Sequence, residues 1–170
     1  MRTAFSICIA GLLIVAPGQR PDEPDFSGEW VLINSTPKTT DAASALSVRQ
    51  PIVRTTARGT PMQPFFSHLI VERHFASGVR SETFMIGVEG GTVGGMPSSV
   101  RVDTRQSVRW VGRTLVIETS RWSGPPGDMR RDTQRNEVWQ FDADGRLIVA
   151  LTEQEGAAES RTTTLTYRRR

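Results

Sequence analysis

Between residues 100 and 111 the chain alternates residue by residue. Val100, Val102, Val108 and Trp110 share one parity with Thr104 and Gln106, while Arg101, Asp103, Arg105, Ser107 and Arg109 share the other. Successive side chains leave a strand on opposite faces, so a period of two predicts a half-buried β-strand. Related runs predict strands near 26–33, 68–75, 79–86, 114–122, 135–142, 146–154 and 161–168. The last of these draws its β-propensity from Thr162, Thr163, Thr164, Thr166 and Tyr167. Tight turns join most neighbours: Ala76-Ser77-Gly78, Val111-Gly112-Arg113, and Asp142-Ala143-Asp144-Gly145, whose glycine supplies the positive φ of a hairpin.

The expected fold class is therefore all-β. Eight strands, mostly hairpin-linked, with no crossover helix between the later ones predict antiparallel pairing. A meander of this kind closes most readily into a single up-and-down barrel, which removes exposed edges. Eight strands also enclose enough room for one small ligand.

Two segments interrupt this rhythm. Residues 34–67, rich in Thr, Ser, Ala and Pro, are expected to form one long connection, with a short helix at Asp41–Arg49 capped by Asp41. Residues 87–98 carry Gly87, Gly90, Gly91, Gly94 and Gly95 and predict a mobile loop. That stretch lacks the lysine and following helix of a phosphate-binding loop. Long connections are commonly functional lids, and both segments are candidates for that role.

The N-terminus reads as a secretory signal, residues 1–18. Arg2 is the positive start, Ala4 to Ala16 is uncharged and apolar, and Ala16-Pro17-Gly18 offers small residues for cleavage after Gly18. The apolar run falls short of the ~20 residues a membrane-spanning helix needs, so no integral span is expected after cleavage. Residues 19–25 form a flexible, two-proline leader, and residues 26–170 form the barrel domain. The lone Cys8 lies inside the signal, so the mature chain is expected to have no disulfide and no thiolate. A periplasmic or secreted location follows from this reading.

Net charge is +3, or +2 once Arg2 is removed, with 20 basic against 18 acidic residues. The basic excess is arginine, spread along the chain and interleaved with acids; only Arg168-Arg169-Arg170 forms a run. A nucleic-acid surface would cluster its cations among aromatics, so no nucleic-acid partner is expected.

The first strand opens Phe26-Ser27-Gly28-Glu29-Trp30, and the last closes Thr166-Tyr167-Arg168-Arg169-Arg170. With this G-x-W on strand one and a basic final strand, the chain resembles a lipocalin-like, calycin-type barrel. It is also similar to small secreted bacterial domains of unknown function that begin F-S-G-x-W and end in a Tyr-Arg strand. The resemblance implies that Gly28 and Trp30 sit at a closed barrel end with an arginine stacked over the indole. Arg169, which shares parity with Leu165 and Tyr167, is the expected partner.

Candidate chemistry is sparse. His68, Glu72 and His74 share a parity, but the histidines stand ~20 Å apart along a strand and cannot share one metal. Asp142 and Asp144 fit a turn better than a calcium loop, which would need a further glutamate about twelve positions on. No G-x-S-x-G is present. Glu118 and Glu137 fall on neighbouring strands as a potential carboxylate pair, although parity turns Glu118 outward toward arginine. No catalytic residue, metal ligand or cofactor is therefore assigned, and the chain is expected to be non-enzymatic.

The tryptophans remain. Trp110 and Trp139 lie on apolar parities, where an indole suits either a cavity wall or plain core. Trp110, Trp139 and Phe84 are the expected ligand-wall residues, with Trp122 at a barrel mouth. Phe84 and Met85 have opposite parities, so at most one faces inward. The expected function is binding of a small apolar or amphipathic molecule, with a small hydrophobic ligand as partner. The alternative is a structural or interaction module of the cell envelope with a filled core.

Overall fold

The computed structural model describes residues 23–53, 56–57, 60–61, 65–87, 89–94, 101–125 and 127–170. The expected signal segment 1–18, residues 19–22 of the expected leader and the end of the 87–98 segment lie outside the described residues. Every regular element described is a strand: β1 (Gly28–Thr36), β2 (Ala45–Arg49), β3 (Ile52–Val53), β4 (Thr56–Ala57), β5 (Thr60–Pro61), β6 (Phe65–Phe66), β7 (His68–Phe75), β8 (Gly78–Met85), β9 (Glu89–Gly94), β10 (Arg101–Val111), β11 (Thr114–Gly124), β12 (Arg130–Phe141), β13 (Leu147–Glu155) and β14 (Arg161–Arg169). No described helix is long and apolar enough to cross a membrane.

One antiparallel sheet runs in the order β8-β7-β2-β1-β14-β13-β12-β11-β10-β9, and two small ribbons, β3–β6 and β4–β5, lie between β2 and β7 in sequence. The sheet curls into a nearly closed barrel because its two edge strands are successive in the chain. Ile86 donates its N–H back to Ser67 O at 3.0 Å, and the next residue, Gly87, donates to Val108 O at 2.7 Å. Between those two residues the chain leaves β7 and joins β10. Counted as one kinked strand, β8 and β9 make a ring of nine staves.

The count differs from the expected eight because two segments read as loops are strands. Ala45–Arg49 is β2, not part of a helix: Leu46 and Val48 turn inward, and the strand is held between β1 and β7. Five residues with alternating Leu and Val gain more from two ladders and a buried face than from one helical turn. Glu89–Gly94 is β9, paired with β10 from Gly94↔Val102 to Glu89↔Ser107. Its glycines carry no side-chain pattern, and a neighbouring strand supplies the order. The expected strand 135–142 also begins earlier, at Arg130.

Strand register sorts the interior into rows. Nearest the closed end, Phe141, Leu147, Tyr167 and Leu32 stand side by side. Next come Trp110, Leu115, Trp139, Val149 and Leu165. The third row is Val108, Ile117, Glu137, Leu151 and Thr163; the fourth is Gln106, Thr119, Arg135, Glu153 and Arg161. Side chains thus grade from aromatic at one end to charged at the other. The core includes Phe26, Trp30, Leu46, Leu69, Val71, Phe84, Leu115, Ile117, Trp139, Leu147 and Tyr167, all at most 1% exposed.

Candidate functional site

The closed end is built around Phe26, just before β1. Its ring lies 5.9 Å from Trp110 at an interplanar angle of 13°, 5.9 Å from Trp139 edge-on, and 4.9 Å from Phe141. Trp30 packs on Phe141 at 5.7 Å. Gln50 holds this plug in place, its Oε1 accepting from Phe26 N at 2.8 Å and its Nε2 donating to Pro24 O at 3.2 Å. Of the leader, Pro24 is therefore buried and tied down. Trp30 Nε1 donates to Phe26 O at 2.9 Å, so the indole fixes the backbone of the residue that fills the barrel.

Arg169 lies over the Trp30 ring, 4.9 Å from its centroid, and donates Nη2 to Ser27 O at 2.9 Å. Gly28 sits beneath this arrangement with φ of 138°, and a Cβ there would stand 3.4 Å from Arg169 Nε. An L side chain would be strained at that φ and crowded by the guanidinium. The spacing of Gly28 and Trp30 is thus accounted for by one close approach.

Above the aromatic end lies a group that the sequence reading did not identify as a site. Arg73 on β7 and Glu137 on β12 meet inside the barrel. Their strands are opposite walls, with β2, β1, β14 and β13 between them one way round. Arg73 Nη2 donates to both Glu137 oxygens at 2.9 Å, and Arg73 Nε donates to Glu82 Oε2 at 2.8 Å. Glu137 also accepts from Trp139 Nε1 at 2.9 Å and lies 2.9 Å from Arg135 Nη2. The Arg73 and Glu137 side chains are only 4% and 3% exposed, whereas Arg135 and Glu82 reach the surface at 31% and 39%. The group forms a polar brace across the lumen, open to water at its edges.

Burial opposes charge on both central partners, and mutual attraction outweighs it. It would raise the Glu137 carboxyl, but Arg73 and Arg135 hold it below its ordinary value. Burial likewise pulls Arg73 down, and Glu137 with Glu82 raises it on balance. Tyr167, whose hydroxyl donates to Ala43 O at 3.1 Å, is pushed up to about 12 chiefly by burial. Ala43 is itself buried, so part of the β1–β2 connection folds onto the core rather than arching free.

Among the described residues three buried side-chain polar atoms lack a hydrogen-bond partner: Trp110 Nε1 and Arg135 Nε on inward-facing residues, and Asn136 Oδ1 on an outward-facing one. The two inner atoms are donors, and Asn136 Oδ1 is an acceptor. The nearest carboxylate to Arg135 Nε is Glu153 Oε1 at 4.0 Å, beyond hydrogen-bonding distance.

Of the residues predicted as ligand wall, Trp110, Trp139 and Phe84 face inward and pack in the core, with Met85 half exposed on the other face. Trp122 is not with them. It shares the outer face with the exposed Arg109–Glu118 pair, lies under Arg105 at 5.4 Å and donates Nε1 to Ser120 Oγ at 3.0 Å. Glu118 and Glu137 point to opposite faces, so they form no carboxylate pair. The brace did have a readable signal: Arg73 has the parity of Leu69 and Val71, and Glu137 that of Trp139 and Phe141. Two opposite charges at core parities of separate strands invite pairing. A scan against protein-family models and a search of curated proteins return no match for this chain.

Proposed function

We propose that this is an exported, non-enzymatic binding barrel for a small amphipathic molecule. In this reading the molecule occupies the barrel end opposite Phe26 and Trp30, with its polar group toward the brace. The observation that carries it is the Arg73–Glu137–Arg135 group itself. A barrel built only to fold has no need of a buried ion pair at Glu137, whose row is otherwise Val108, Ile117, Leu151 and Thr163, because apolar residues of similar volume fold as well or better there. The nearly closed barrel and the graded interior support the same view, and export rests on the signal-like N-terminus.

The test is native mass spectrometry and calorimetry of the purified protein with a panel of fatty acids, sterols, quinones and haem. A co-purified mass, or saturable one-to-one binding, is the expected result. Failure of every compound would favour the second reading, an envelope interaction module with a filled core. One observation already favours that alternative: Phe26, Trp30, Trp110, Trp139 and Phe141 fill the closed end with ring contacts.

A further inference from the structure

The fourth row of the interior decides what kind of polar group the barrel could hold. Gln106, Thr119, Arg135, Glu153 and Arg161 line up there across five strands. One row deeper the acceptors are used up. Glu137 takes hydrogen bonds from Arg73 and Trp139 and is ion-paired with Arg135, and Glu82 takes one hydrogen bond from Arg73. The fourth row has donors to spare. Arg135 commits Nη2 to Glu137, and its buried Nε–H has no hydrogen-bond acceptor. Glu153, the only carboxylate of the row, is 56% exposed and 4.0 Å away from it. Arg161, the register partner of Glu153, adds a second cation to the same rim. The other unpartnered interior atom, Trp110 Nε1, is again a donor. Buried donors left unmet in the interior ask for an acceptor, and a guanidinium with a free edge takes planar carboxylates well.

We infer that the polar end of the bound molecule is a carboxylate, held by Arg135 at the rim of the barrel with Arg161 beside it. This rests on the binding reading above, and it names the ligand class of that same site. Arg135 is the specificity-determining residue, because its Nε–H is the donor already buried and unmet.

The experiment uses three probes with one chain: dodecanoate, dodecanol and dodecyltrimethylammonium, titrated calorimetrically into the full protein. Dodecanoate is expected to bind at least roughly tenfold more tightly than dodecanol, the size of one charge-assisted hydrogen bond. Arg135→Lys keeps a cation beside Glu137 but removes Nε, and it should cut that preference several-fold. Arg161→Gln, at an exposed position, should lower the preference by a smaller factor and serves as the variant least able to disturb folding. Equal or tighter binding of dodecanol or the ammonium probe would overturn the carboxylate assignment while leaving the binding barrel standing. So would a carboxylate preference that survives both substitutions. No binding of any of the three would overturn the binding reading, and this inference with it.

Discussion

Replacing Arg73 by methionine tests whether the brace works as an ion pair. The substitution roughly keeps side-chain length but strips Glu137, 3% exposed, of the cation that bonds both its oxygens. Breaking one side of a buried pair costs about 3–5 kcal/mol, because a charge is left without compensation. Arg135 and Trp139 still hold Glu137, so the lower end, about 3 kcal/mol, is expected. With a urea slope of about 2 kcal/mol per molar, the unfolding midpoint should fall by ~1.5 M. The double variant Arg73→Met, Glu137→Leu removes both charges and should lie within about 1 kcal/mol of the parent, since apolar replacements of buried pairs are near neutral. Glu82, 39% exposed, then returns to water at little cost. The pH dependence follows from the depressed Glu137 carboxyl. Its pairing stabilises the fold above the ordinary value of 4.5, and that contribution is lost as pH falls through the lower folded value. In Arg73→Met, burial is no longer outweighed to the same degree and the carboxyl shifts upward. The deficit of the variant should therefore shrink in acid. Urea titrations followed by tryptophan fluorescence near neutrality and in mild acid measure all of this. A midpoint change below ~0.5 M in the single variant, a double variant as unstable as the sum of its singles, or a deficit indifferent to pH would refute the reasoning.

Other perturbations reach separate parts of the fold. Gly28→Ala forces a side chain into φ of 138° and against Arg169, and should lower stability by about 1–3 kcal/mol in the same urea assay. Gln50→Ala leaves the buried Phe26 N–H without its acceptor; a loss of about 1–3 kcal/mol is expected, and a change near zero would mean that water replaces the amide. Tyr167 favours its protonated form in the fold. Its contribution is complete below pH 10.0, the ordinary value, and is lost as pH rises toward about 12. Phenolate absorbance of this single tyrosine should therefore rise toward about pH 12 while the fold persists, and near 10.0 once it is unfolded.

How far the fold was legible depended on length and repetition. The 68–75 and 100–111 runs are long alternations, and they became β7 and β10 within a residue at either end. β2 was hidden because Ala45–Arg49 offers just two inward apolar residues, Leu46 and Val48, after an Asp that could cap a helix. Its strand state is set by the neighbours β1 and β7, which no local pattern reports. β9 was hidden because glycine has no side chain to alternate. Single-strand parity did orient Trp110, Trp139 and Glu118, while it left open which of Phe84 and Met85 faces inward. It failed for the brace because Arg73 and Glu137 lie 64 residues apart, and which strands become opposite walls depends on ring closure at Ile86 and Gly87. Parity says that a charge faces inward; topology says which charge answers it.

The brace also divides the barrel, and the division assigns the tryptophans. Trp110 and Trp139 stand a row nearer the closed end than Glu137, in the half that Phe26 fills. A molecule arriving at Arg135 reaches the brace before it reaches either indole. Arg73 spans the lumen by bonds at 2.9 Å on one wall and 2.8 Å on the other, so passage beyond it requires the pair to open. The wall-residue expectation and the rim-arginine inference then separate cleanly. Trp110→Phe keeps a ring against Phe26 and removes an N–H that has no acceptor, so stability should change by no more than about 1 kcal/mol. Its affinity for dodecanoate should stay within about twofold of the parent, whereas Arg135→Lys lowers it several-fold. A large loss at Trp110 with none at Arg135 would place the ligand below the brace, and would mean that the Arg73–Glu137 pair opens to admit it.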